Sequence, residues 1–373
     1  MIDADLSYQP AELSPPGETL RDLMDERALT QAELARRLGR PVQAVNEIMA
    51  GKKEITEDTA LELERVLQVP AHFWLAREAR YREYLARLRD AQGRKAQLPW
   101  LERFPLKALQ EAGVLPSGRL TSGFKEQLID DLLRFFSVAS PEGWAAHYDK
   151  MQAQFRRAKP DQQTDAAAIT AWLRMGELAA ARLQTQAYQA SLLEANLPAM
   201  RALSLCSAAD ISVGLTRLCA QAGVALVFVP ALPGTHVSGV ARWVGGKPLI
   251  QLSLLGKWND GFWFSFFHEV GHILKHPTRA VFLDDASSGD AVLSTEEQEA
   301  NRFATDVLIP RGRQAELSSL LLNQASVMAF AQSLGIHPGI VVGQLQHRQL
   351  ISYNHPLSQL KARYTIQTNH AHP

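Results

Sequence analysis

The hydrophobic positions change their spacing twice along the chain. From about Gly17 to Leu75 they recur at helical intervals in short runs broken at Gly39, Gly51 and Pro70, which predicts four or five short helices. From Arg77 to about Met200 the helical interval persists in a sequence dominated by Ala, Leu, Gln and Arg and interrupted by Pro99, Pro105, Pro116, Pro141 and Pro160. Beyond Leu203 come three β-rich runs, VALVFVP (Val224–Pro230), VSGVARWV (Val237–Val244) and PLIQLS (Pro248–Ser253), the last two joined as a hairpin through Gly245, Gly246 and Lys247. An apolar helix, FWFSFFHEVGHILKH (Phe262–His276), follows, then EEQEANRFATDVLIP, closed by Pro310, and shorter helices around Ala315–Leu334 and Gly339–His347. This order predicts a multidomain chain: an all-α N-terminal domain over 1–78, a helical connector over 79–202 and an α+β C-terminal domain over 203–373.

Composition narrows the partners. At 373 residues and 46% hydrophobic content, the chain is long enough for two or three folded domains. Lysine plus arginine and aspartate plus glutamate each number 39, so no global basic field draws it to nucleic acid or to an anionic membrane, and any DNA contact has to be local. Cys206 and Cys219 fit neither a C-x-x-C metal pair nor a disulfide framework, and read as two buried thiols in a reducing compartment. The opening MIDADLSYQP lacks the layout of a signal peptide and no run of about 18 apolar residues occurs, so the expectation is a cytoplasmic protein without a membrane partner. In the connector, Trp144, Trp172 and Phe135 read as core.

Within the first domain, LTQAELARRLGRPVQAVNEIMAGKK (Leu29–Lys53) is laid out as two helices about a turn. Thr30 and Glu33 form a capping box, Leu34, Ala35 and Leu38 supply an apolar face, and Gly39 permits the turn. Pro41 suits the first position of the second helix, where its missing N–H does no harm. In that helix Val45, Ile48 and Met49 face inward and leave Gln43, Ala44, Asn46 and Glu47 outside. The carboxamides of Gln43 and Asn46 match adenine edges, with Ala44 on the same face, and Arg40, Lys52 and Lys53 are placed to hold phosphates. PGETLRDLMDERALTQAELARRLGRP, continuing through NEIMAGKKEITEDTALELERVLQVPAHFWL, resembles the XRE/HigA-type helix-turn-helix of antitoxins and phage-repressor relatives. The resemblance implies a homodimer on double-stranded operator DNA, with half-sites about one helical turn apart. Val42 departs from the pattern, being apolar where many relatives carry a polar residue.

The helix FWFSFFHEVGHILKH raises a different chemistry. Burying a polar group without a partner costs about 2–7 kcal/mol, so three histidines and a glutamate in an apolar run call for partners, and a metal ion is one. In HEVGH, His268 and His272 are four residues apart, one turn apart on one face, and both reach a single ion. Glu269 then stands beside the open coordination position as general base toward water. A hydrolytic zinc site takes three protein ligands, and the third has to come from elsewhere. The next helix opens with Ser294 and Thr295 as caps and offers Glu296, Glu297 and Glu299. Against a stripe of Ala300, Phe303, Ala304, Val307 and Leu308, Glu296 lies nearest on helical-wheel grounds, and periodicity does not select Glu299.

Residues from about Leu226 to Leu345 resemble the ImmA/IrrE family of zinc metallopeptidases, through FSFFHEVGHILKH, the EANRFATDVLIP that follows and VVGQLQH near Val341. The resemblance implies a zincin-like fold with a Zn2+ ion on His268, His272 and Glu299, Glu299 being the glutamate directly before the Ala-Asn pair, and with Glu269 as general base. His276, one turn further along, is expected to orient a ligand or cap the helix, and His337 and His347 are candidates to steady an oxyanion, with surface or loop histidine as the plainer reading. The hairpin Val237–Ser253 is a candidate edge for an extended substrate, structural edge protection being an equally good account. The whole reads as a DNA-binding regulator with an attached metallopeptidase acting on a peptide or protein, such as a repressor or toxin. The alternative is an antitoxin-like repressor whose zinc domain senses or binds without cleavage.

Overall fold

The structure, a computed structural model, describes residues 13–148, 165–235, 237–253, 258–276, 281–285 and 294–364. The chain divides into two compact units, Met1–Gln97 and Leu98–Pro373. Among the described residues no single helix is long and apolar enough to cross a membrane.

The first unit is all helical: α1 (Pro16–Glu26), α2 (Gln31–Leu38), α3 (Val42–Met49), α4 (Glu57–Leu67) and the greater part of α5 (Ala71–Leu101). Thr30 caps α2 by accepting from the Glu33 N–H at 3.2 Å, and Gly39 ends it in the left-handed region at φ 65°. Pro41 sits one position earlier than expected, as the residue before α3, so that Val42 becomes its first helical residue. Leu34, Leu38, Val45, Ile48, Met49, Leu63, Leu67 and Trp74 close one core.

The second unit begins with α6 (Leu106–Glu111), α7 (Ser122–Phe136), a helical stretch at 141–148 (α8), α9 (Ala166–Ala181), α10 (Ala190–Ala202) and α11 (Ala208–Gln221). Strands β1 (Ala225–Phe228), β2 (Val237–Val244) and β3 (Lys247–Leu252) precede α12 (Asn259–Lys275), and β4 (Val281–Asp285) precedes α13 (Thr295–Leu308). The chain continues through α14 (Gln314–Ser318), α15 (Gln324–Leu334) and α16 (Pro338–His347). Gly245 and Gly246, at φ 57° and 79°, make the two-residue turn between β2 and β3 that only residues tolerant of positive φ accept. The sheet is mixed, in the order β1-β3-β2-β4, with β1 parallel to β3 and the other pairs antiparallel. β2 therefore lies between β3 and β4, and the hairpin is not the free edge that the sequence suggested.

Alternation along the strands sends the two sheet faces to different helical layers. Leu226, Ala241, Ile250 and Leu252 join the core built by α10 to α16, while Ala225, Val227, Val240 and Leu249 join the core built by α6 to α9, where Trp144 and Trp172 are buried and Phe135 packs partly buried. The boundary expected near residue 202 thus does not separate compact units, because the connector helices cover one face of the sheet. Polar bonds reinforce the contact: Arg242 on β2 donates to Glu177 on α9 at 2.7 Å and to the Leu173 carbonyl at 2.5 Å. Gln251 on β3 donates to the Trp172 carbonyl at 2.7 Å, and the Trp172 indole donates to the Val229 carbonyl at 3.0 Å. Burial pulls the Arg242 guanidinium below its ordinary value while Glu177 pulls it back, so the pair is one charge satisfying another inside the protein. Glu177→Ala leaves Arg242 without that carboxylate and is expected to lower the stability of the second unit by about 3 kcal/mol, read as an earlier urea midpoint. An unchanged midpoint would mean that apolar packing alone holds α9 to the sheet.

Candidate metal centre and nucleic-acid interface

Helix α12 lays Phe262, Trp263, Phe266, Phe267, Val270 and Ile273 into the core, and the same helix carries His268, Glu269 and His272 fully inside. Its neighbour α13 comes close at Gly271, where a Cβ would meet the Phe303 ring at 3.0 Å and the Ala300 Cα at 3.3 Å. That approach delivers Glu297. His268 Nε2 lies 3.1 Å from Glu297 Oε2, His272 Nε2 lies 3.4 Å from Glu297 Oε1, and the two Nε2 atoms are 2.9 Å apart. His268 Nδ1 hydrogen-bonds Asn301 Oδ1 at 2.9 Å, which turns Nε2 toward the other two groups. Burial pushes the Glu297 carboxyl up, but its hydrogen bonds with His268 and His272 outweigh this and hold it at about 2, ionised at any ordinary pH. Burial likewise lowers His272, keeping it neutral. A carboxylate and two imidazoles, with one atom of each inside a 4.8 Å span, are a donor set able to hold a divalent cation.

The third ligand implied by the resemblance, Glu299, is not at the pair. Its side chain is 56% exposed and its Oε2 lies 3.5 Å from His276 Nε2, at the C-terminal end of α12. The helix wheel explains the exchange. Phe303 and Val307, which drew the stripe toward Glu296, are only half-buried, whereas the deeply buried line Ala300, Ala304, Leu308 extends back to Glu297. Glu299, adjacent to Ala300, points roughly a quarter-turn away from that line. Glu297 was one of three glutamates the sequence offered but not the one chosen, and Asn301 was missed; their spacing of four, one side chain for the ion and one for a histidine, is the signal that identifies them. Glu269 is buried against β2, where Gly239 makes room: a Cβ there would fall 2.7 Å from Glu269 Oε1. This glycine sits at a register shift between β2 and β4.

Two of the remaining candidate histidines, His276 and His337, stand at helix ends. His276 follows the last residue of α12, its N–H bonded to the His272 carbonyl at 2.9 Å. His337 caps α16, its Nδ1 accepting from the Gly339 N–H at 3.0 Å and from the Asn259 amide at 2.7 Å. His347 is exposed at the end of α16, near Phe264. Of the cysteines, Cys219 is buried and Cys206 is exposed, against the expectation of two buried thiols.

In the first unit, Val45, Ile48 and Met49 are buried and Gln43, Asn46, Lys52 and Lys53 are exposed, with Ala44 half-buried. Gln43 donates to Glu47 at 3.0 Å along α3. Arg40, expected on phosphates, is instead bonded to Glu62 of α4 at 2.5 Å and is only partly exposed. A family profile described as helix-turn-helix matches residues 20–74. Residues 20–74 are a helix-turn-helix domain. Solved structures similar to part of the chain include a Pseudomonas aeruginosa protein in complex with its operator DNA, 32% identical, matched over 20% of this chain and 82% of its own with a TM-score of 0.20. Another is an addiction module antidote protein of a HigA family from Coxiella burnetii, 28% identical over 23% of this chain and 95% of its own, TM-score 0.21. No curated protein matches the chain. The helix-turn-helix thus accounts for the N-terminal unit up to the start of α5.

The His337 cap makes stability depend on pH. Burial lowers its titration below the ordinary 6.5, and a proton on Nδ1 would displace both donors. The unfolded chain then takes up a proton before the folded one does, so this contribution is complete above about pH 6.5 and is lost as pH falls below it. His337→Asn keeps a capping acceptor without the titration and is expected to flatten the acid side of the stability curve, measured by thermal melts from pH 8 to 5. His272 retains part of the slope; a curve identical to the parent's would remove His337 from the account.

Proposed function

We propose that the chain is a DNA-binding transcriptional regulator of antitoxin type that carries a zinc-dependent metallopeptidase centre in its second unit. The DNA half rests on the helix-turn-helix over residues 20–74, whose second helix and following turn expose Gln43, Asn46, Lys52 and Lys53. Carboxamides suit base edges and ammonium groups suit phosphates. Homodimer formation on paired half-sites follows from the docking geometry of such modules.

The peptidase half is carried by one observation, the convergence of His268 Nε2, His272 Nε2 and the Glu297 carboxylate at separations of 2.9, 3.1 and 3.4 Å. Donors bonded at about 2.0–2.1 Å to a tetrahedral ion stand about 3.3 Å apart, so the three fit zinc. When bound, zinc supplies Lewis acidity toward a peptide carbonyl and toward water. Glu269 takes the proton of the attacking water and returns it to the leaving amine. Asn301 holds the His268 ring, and the substrate is a peptide bond in a partner regulatory protein, a repressor or toxin. The zincin-like fold is part of the same proposal. A second reading is favoured by burial: with His268, Glu269 and His272 exposed by 1% or less, a partner chain has little access, and the unit would sense metal or bind without cleaving.

Two experiments test these halves. After chelation and repletion, wild type and Glu269→Gln are expected to hold about one zinc ion per chain, Glu297→Ala to lose it and Glu299→Ala to keep it, while Asn301→Ala weakens binding about 10–100-fold. Cleavage of a co-expressed partner should stop in Glu269→Gln; zinc bound by wild type without any cleavage leaves the sensing reading. For DNA, affinity for the region upstream of the chain's own gene should fall with salt, and Lys52→Ala should reduce the logarithmic slope by about 1. Binding indifferent to salt would mean that the N-terminal unit recognises a protein.

A further inference from the structure

We infer that Val42 reads a thymine 5-methyl group in the major groove of the operator, an inference that rests on the DNA-binding reading above. Val42 is the first residue of α3 and is 42% exposed, while the other large apolar residues of that helix, Val45, Ile48 and Met49, are 0–4% exposed. Its neighbours on the open face are Gln43 and Asn46. In a helix-turn-helix the N-terminal residues of the second helix meet the base edges, so Val42 occupies a reading position with a side chain that neither donates nor accepts.

The surroundings sharpen the assignment. Pro41 precedes α3 without a side-chain cap, and the first turn carries no acidic residue. No acidic residue of α3's own first turn therefore opposes the approach of DNA, and the Glu62 carboxylate near this end is paired with Arg40. Gln43 is bonded along the helix to Glu47, and the isopropyl group is the apolar contact that this end of the helix offers beside it. Base edges in the major groove offer donors and acceptors at every pair and one apolar group, the thymine methyl. Facing adenine, guanine or cytosine, Val42 would strip water from polar atoms and give nothing back. Facing thymine, it buries one methyl, worth about a four-fold change in affinity per half-site.

The test begins by selecting bound duplexes from a random pool with the full-length chain. Each enriched thymine is then replaced by deoxyuridine, which removes only the methyl, and affinity is measured for wild type and Val42→Ser. One position per half-site is expected to cost wild type about four-fold on replacement and to cost Val42→Ser nothing. Val42 is exposed, so the variant should melt with wild type, and this is checked first. A variant that keeps the full penalty at every position, or a selected site in which wild type ignores every methyl, overturns the inference and leaves DNA binding standing. Failure to enrich any sequence overturns the DNA-binding reading, and the inference with it.

Discussion

Two imidazole nitrogens and a carboxylate oxygen meet within hydrogen-bonding range beneath a layer of aromatic side chains on α12. Groups of this kind, taken out of water, have to satisfy one another or share an ion. The second unit is arranged around that requirement. Gly271 lets α13 lie against α12 so that Glu297 arrives at the pair, Asn301 fixes the turn of one ring, and Gly239 clears space over β2 for the Glu269 carboxylate. At both glycines a Cβ would press on a neighbouring side chain, Phe303 at Gly271 and Glu269 at Gly239.

The sheet supports this centre from behind. One face packs on α12, and the other is covered by α6 to α9, with Arg242, Glu177 and Gln251 bridging β2 and β3 to α9. Helices α6 to α9 are consequently part of the platform on which the centre rests, and not a spacer ahead of it. The helix-turn-helix has its own core, closed by Trp74 at the start of α5, and its reading helix is shaped within that unit alone.

Features fixed by neighbours in sequence were legible. The Thr30 cap, the Gly39 turn, the inward set Val45, Ile48 and Met49, and the spacing of His268 and His272 all follow from one or two turns of helix. Features fixed by packing between distant segments were not. The partner of the histidine pair depends on which side of α13 is buried most deeply, and Phe303 and Val307 look as apolar in sequence as Ala300 and Ala304 do. The family pattern pointed to Glu299, one residue before the buried line, where the side chain turns to His276. Arg40 read as a phosphate contact until Glu62, 22 residues on, proved to hold it. The hairpin read as an edge because β4 reaches it only after the whole of α12.

The central claim is that Glu297 completes a site for one divalent cation with His268 and His272. Crystals of the zinc-loaded chain, measured on both sides of the zinc absorption edge, give the most direct test. The account predicts one anomalous peak about 2.0–2.2 Å from His268 Nε2, His272 Nε2 and a Glu297 oxygen. A peak held by Glu299, or zinc-soaked crystals in which the two imidazoles remain hydrogen-bonded to each other with no peak between them, would contradict it.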